Sequence, residues 1–282
     1  MGRPPNPRPK KNSRSVKAAV KSAKPRRGGG AATGGGMNFQ AAVTAIAAVY
    51  LARGRPLLWL EGLIDDVPVA ISAETGGAGD DVRIAYRNGS TSEVQIKRGL
   101  QAGAVFWNAL LKLAHAIYRR EIDYGVLIVC PNSSQPIARG LAQDMGRLAE
   151  GRYDSLGKHA KALKQKLEAI CLPVQSVCAR LRIVTVHALA YDQASIAAAR
   201  SELDHICRNK SQIGSAWDRL YRDAAAMIEF RTARRASSVM QVLKSAGIDI
   251  ATDALDTPVA MLSRLSDWVI KANTYFTILG VR

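Results

Sequence analysis

The sequence predicts an α/β core in the order helix, strand, strand, strand, helix, strand, followed by a helical C-terminal domain. Three observations carry this. Residues 67–74, 81–86 and 92–97 alternate apolar and polar side chains, the pattern of half-buried strands. Residues 124–130 (YGVLIVC) form a nearly unbroken apolar run, as a strand covered on both faces requires. From about residue 193 onward apolar side chains recur only at helical spacing.

Taken in order, residues 1–36 hold ten Lys or Arg and no acid, with many Pro and Gly and almost no large apolar side chains. Such a segment buries too little surface to offset its chain entropy, so a disordered basic arm is expected. It serves either as a solubilising arm or as a non-specific attachment to nucleic-acid phosphates. The whole chain carries +17, but without this arm 30 basic residues face 23 acidic ones, so the folded part is only moderately basic. Residues 37–53 place Phe39, Val43, Ile46 and Tyr50 on one helical face, and the Gly54-Arg55-Pro56 step ends the helix. LLWLE (57–61) reads as a short strand or an apolar plug. A second helix is expected over 104–120, with Phe106, Leu110, Leu113 and Ile117 inward. Ser134 is placed to cap the next helix, with Pro136 in its first turn. A basic helix (156–170) and one more strand (181–186) follow. After them come the helical sets Ile196/Leu203/Ile206, Ile213/Trp217/Leu220/Met227, Val239/Leu243 and Leu262/Leu265/Val269.

The composition excludes several classes. No apolar run approaches the ~20 residues that a spanning helix needs, and no signal peptide is visible, so the chain is expected in the cytoplasm. Cys130, Cys171, Cys178 and Cys207 lie far apart with no C-x-x-C, and read as reduced thiols. The four histidines have no ligand spacing. Gly151 to His159 lacks both the glycine spacing and the Ser/Thr of a phosphate loop.

The chemistry concentrates in residues 74–97. Period-2 burial constrains how these strands pair, because a one-residue slip turns every side chain to the other face. Pairing Glu74 with Asp81 puts Ala73 on Val82, Ile71 on Ile84 and Val69 on Tyr86. A three-residue turn at 88–90 then pairs Val82 with Ile96, Ile84 with Val94 and Arg83 with Gln95. Asp81 lands opposite Lys97, at roughly 5 Å between Cβ atoms. Glu74, Asp81, Gln95 and Lys97 then share one face and one end of the sheet, and Asp80 points away or into the loop. Carboxylates are the hard oxygen donors that Mg²⁺ or Mn²⁺ prefers. A metal held by Asp81 and Glu74, with the Gln95 amide oxygen and the Ile96 carbonyl, would polarise a phosphate. Lys97 would orient water or neutralise developing charge. Arg98 is the nearest candidate for phosphate contact, ahead of the lysines at 158–166. Against this stands an Asp81–Lys97 ion pair on an exposed sheet face, worth under about 1 kcal/mol.

With D-(x)13-Q-x-K on this strand order, the chain resembles the PD-(D/E)XK nuclease superfamily, and within it the Mrr-like endonuclease domains of bacterial anti-phage effectors. The matching pieces are GMNFQ (36–40), Glu74, DDVRI (80–84) and VQIK (94–97). The resemblance covers roughly residues 36–190. It implies a restriction-endonuclease-like core at 37–190 between the arm (1–36) and a helical domain (191–282). It implies Mg²⁺- or Mn²⁺-dependent hydrolysis of double-stranded DNA in antiviral defence, with Asp81, Gln95 and Lys97 as the catalytic core and Glu74 as an extra acid. Expected partners are double-stranded DNA and either a second copy of the chain or a sensor/NTPase module. The rival function is a catalytically silent nucleic-acid-binding or assembly module.

Overall fold

The structure, a computed structural model, describes Gly2 and residues 29–251. The rest of the basic arm and the Leu262/Leu265/Val269 set lie outside the described residues. The core order is as the sequence predicts: α1 (Gly29–Arg53), β1 (Pro68–Ala73), β2 (Val82–Tyr86), β3 (Thr91–Lys97), α2 (Ala104–Tyr118), β4 (Tyr124–Val129). Then come a π-helical stretch (Pro136–Leu141) running into α3 (Ala142–Ala149), α4 (Lys158–Ala169), α5 (Val174–Cys178) and β5 (Leu181–Thr185). The chain continues through α6 (Ala194–Leu203), α7 (Ile213–Phe230), β6 (Ala233–Arg235) and α8 (Ala236–Ser245).

The six strands form one mixed sheet in the order β5-β4-β3-β2-β1-β6. β3, β4 and β5 run parallel, and β3-β2-β1-β6 pair antiparallel. β3 is therefore the strand where the sheet changes sense. One face carries Ile71, Ile84, Val94, Ile96, Val126 and Ile128, packed under α1 and the helices after residue 193. The other carries Leu127, Val129, Leu181 and Ile183, packed under α2 to α5. Alternating side chains on β2 and two-sided burial of β4 follow directly from this sandwich.

Several expectations are corrected. Helices were expected alone after residue 193, but β6 adds a sixth strand beside β1. LLWLE holds a 3-10 turn at Leu58–Leu60. Ser134 does not cap with its side chain; its backbone carbonyl accepts from Ile137 and Ala138, 2.9 Å each. Residues Gly35–Arg53 are long and apolar enough to cross a membrane by length and composition, which the sequence reading did not recognise. Here they form the central helix, and every residue from Ala41 to Ala52 is buried. All four cysteines are free thiols, and only Cys171 is exposed.

The β1–β2 register is the expected one at Ile71–Ile84 and Ala73–Val82, with an irregularity at Val69 that moves Tyr86 onto Pro68. The β2–β3 register differs by two residues: Val82 faces Val94, Arg83 faces Glu93 and Ile84 faces Ser92. The Tyr86 N–H bonds the Ser90 carbonyl at 2.9 Å, so the loop is 87–89, with Gly89 at φ +84°. A two-residue shift leaves the apolar faces aligned, which is why burial alone did not detect it.

Candidate functional site

Of the sequence-predicted residues, Asp81, Ile96 and Lys97 make contact at one end of the sheet, where β2 begins and β3 ends. Asp81 is buried there. Its Oδ2 accepts the Ile96 backbone N–H at 2.5 Å and the Lys97 ammonium at 3.2 Å. Lys97 thus pairs with Asp81 and not Asp80, although the register that brings them together is not the expected one. Burial pushes the Asp81 carboxyl above its ordinary range; the Ile96 N–H and Lys97 oppose this, and Asp80 adds to it. Ile96 meets Asp81 through its N–H rather than its carbonyl.

The other members are held elsewhere. Glu74, at φ 51°, sends Oε1 to the Gln40 amide of α1 at 2.8 Å. Asp80 does not point away: its Oδ1 accepts from Gln95 Nε2 at 3.2 Å. The Gln95 amide oxygen is buried with no hydrogen-bond partner among the described residues. No group of three His, Cys, Asp or Glu side chains suited to a metal ion occurs among the described residues. Glu74, Asp80 and Asp81 each have one carboxylate oxygen engaged by the chain.

Sequence reading passed over Glu93. It is buried at 2% exposure, and its Oε2 accepts the Gly79 N–H at 2.7 Å, fixing the glycine-rich loop to β3. A methyl group on Gly77 would collide with this carboxylate, so that glycine is dictated by what lies beneath it. Three glycines within 76–79 are the signal that some group approaches closely there.

Arg98, one residue beyond Lys97, is exposed and lies against Gly35 of α1, on the α1 side of the sheet. It lines a cleft of about 460 Å³ between the first turns of α1, residues 188–190, α6 and α7. Arg200, Trp217, Asp218 and Tyr221 form its far wall. The Arg200 guanidinium sits 5.9 Å from the Trp217 ring centroid, and its Nε is buried without a hydrogen-bond partner among the described residues. Neither Arg98 nor Arg200 has an ion-pair partner among those residues, whereas Arg53 and Arg55 of the neighbouring surface both bind Glu202. The cleft draws on residues from 35 to 221, so no local motif announces it.

No family model matches the sequence, and no curated protein does. The fold is similar to two solved Cap4 SAVED/CARF-domain containing receptors. One, from Acinetobacter baumannii and solved with the cyclic trinucleotide 3'3'3'-cAAA, has a TM-score of 0.48 at 12% identity over 75% of this chain. The other, from Moraxella osloensis, has a TM-score of 0.47 at 13% identity over 74% of this chain. The chain spans less than half the length of either, 45% and 48%. The family resemblance is corrected by this result: both solved structures are named as Cap4 SAVED/CARF-domain containing receptors, and neither is named as a PD-(D/E)XK nuclease. With it falls the expectation of metal-dependent hydrolysis of double-stranded DNA.

Proposed function

We propose that this chain recognises a phosphate-bearing, nucleotide-sized ligand in the cleft between α1, α6 and α7. The observation that carries the reading is the pair Arg98 and Arg200. Two guanidinium groups line one cavity, neither in an ion pair among the described residues although Asp218 shares the wall, and one has a buried N–H with no acceptor. The exposed Arg98 guanidinium has N–H groups free for charge-assisted hydrogen bonds to phosphate oxygens. Trp217 and Tyr221 add aromatic surface, and about 460 Å³ lies inside the range of small-molecule sites.

The proposal assigns no reaction to the chain. The ligand class named for the Cap4 receptors, a cyclic trinucleotide, is a compound to be tried and adds no weight. A cytoplasmic location, and a place in antiviral defence beside an effector module, are part of the proposal. A divalent cation, Mg²⁺ or Mn²⁺, at Asp81 is proposed on one atom alone, the unpartnered Gln95 amide oxygen.

The test is calorimetric titration of the full chain with phosphate, mononucleotides and cyclic trinucleotides. Arg98→Ala and Arg200→Ala should each weaken the tightest ligand by about 10- to 100-fold, as loss of a charge-assisted hydrogen bond implies. Unchanged affinity in both variants, or no binding of any compound at millimolar concentration, overturns the reading. Broadening by Mn²⁺ of resonances near Asp81, abolished by Asp81→Asn, tests the cation separately.

A further inference from the structure

A second groove, of about 750 Å³, lies between the glycine-rich loop and α2, apart from the cleft above. One wall is the nearly bare backbone of residues 76–78. The other runs along α2 to the residue that caps it: Asn108, Lys112, His115 and Arg119, at steps of four, three and four residues, which lie one above another on a helix, with Leu111 and Ala116 beside them. Lys112 and Arg119 are therefore about 10 Å apart along the axis, with His115 between them.

The loop wall is rigid from beneath. Glu93 holds the Gly79 N–H and occupies the space under Gly77, so the loop cannot settle onto the sheet. Gly76 adopts φ +70°, and a Cβ there would meet nothing within 4 Å. The loop is open on this side at Gly76, and residues 76–78 carry no side chain larger than a methyl group opposite the stripe. The stripe is not consumed by internal pairing. Neither Lys112 nor His115 has an ion-pair partner among the described residues. Arg119 has only Glu121, at 3.8 Å with both side chains more than half exposed, a contact worth little in water.

We propose that this groove binds a condensed phosphate, a di- or triphosphate chain laid along Lys112, His115 and Arg119 and displacing Glu121 from Arg119. Such a chain spreads its charge over several ångströms and matches a line of cations better than a single carboxylate does. A free polyphosphate and the phosphate chain of a nucleoside triphosphate share this chemistry.

The full chain is titrated with tripolyphosphate and with ATP. Equal affinity for the two identifies the phosphate chain alone as the groove's ligand; at least tenfold tighter ATP identifies a nucleotide there where Lys112→Glu/Arg119→Glu abolishes the preference, and overturns the assignment of ATP to the groove where the preference survives that variant. Lys112→Glu/Arg119→Glu, on exposed positions, should weaken tripolyphosphate by at least 30-fold. Glu121→Gln should strengthen it two- to fivefold. The basic arm also attracts polyanions, so Lys158→Glu/Lys161→Glu, with the same change in net charge, is the control. Equal weakening by that control, or full binding by Lys112→Glu/Arg119→Glu, overturns the proposal. Retained nucleotide binding by the groove variant separates its failure from failure of the Arg98 cleft.

Discussion

The sheet-end cluster and the Arg98 cleft lie on either side of one strand end, and they treat their polar groups in opposite ways. In the cluster each acid is answered by the chain itself: Glu74 by Gln40, Asp80 by Gln95, Asp81 by the Ile96 N–H and Lys97. In the cleft Arg98 and Arg200 are in no ion pair among the described residues, although Asp218 shares the wall, and Arg200 Nε has no acceptor. Internally satisfied groups hold structure together; unsatisfied ones are available to a ligand. A suggestive spelling such as D-(x)13-Q-x-K therefore says less about binding than the state of the hydrogen bonds around it.

The largest effect expected from this contrast is on stability, at Asp81. Asp81→Ala leaves the Ile96 N–H and the Lys97 ammonium without their acceptor at a buried position. Removing one partner of such a set costs about 2–4 kcal/mol. Urea unfolding should show that loss, while affinity in the Arg98 cleft stays within about twofold. A near-neutral Asp81→Ala would mean that the cluster does not hold β2 to β3, and the contrast would collapse.

A smaller effect is expected from pH. The Asp81 carboxyl is raised in the folded state, chiefly by burial. A group raised on folding lends stability that is complete below its unfolded value and is lost as pH rises through its folded value. Wild type should therefore gain on Asp81→Asn as pH falls from 7 towards the ordinary carboxylate value of 3.8. Thermal unfolding of the two proteins across that window measures it; a wild type that loses ground would show the Lys97 attraction outweighing desolvation.

These residues also mark how far the sequence was legible. Alternation at Ile71, Val82 and Ile84 gave the strands and their faces, because period-2 burial is a local property. It could not give the β2–β3 register, since Val82 is as well matched by Val94 as by Ile96. The turn decides between them, and Asn88-Gly89 is compatible with a loop at 87–89 or at 88–90. Glu93 was unreadable for another reason: a carboxylate mid-strand looks solvent-facing unless the loop and helix covering it are known. β6 is three residues long and contains two arginines, too short and too polar to register as a strand. The α2 stripe has a local period, but its meaning depends on a loop nearly 30 residues earlier folding across from it.

The smallest net effect is expected at Glu74, where two terms oppose each other. Its φ of 51° lies in the left-handed region, which costs a non-glycine residue about 1 kcal/mol or slightly more. Its part-buried hydrogen bond to Gln40 returns about 1 kcal/mol. Glu74→Gly removes both and should leave stability within about 0.5 kcal/mol of wild type. Glu74→Ala removes the bond but keeps the strain, and should lose about 1 kcal/mol. The difference between the two variants, read from urea midpoints, isolates the backbone strain. Equal stability of the glycine and alanine variants would show that the chain relaxes the turn once Gln40 is released, so that Glu74 is bent only to reach α1. In that event the strain belongs to the tie between α1 and β1, and the sheet-end cluster is architectural down to its backbone.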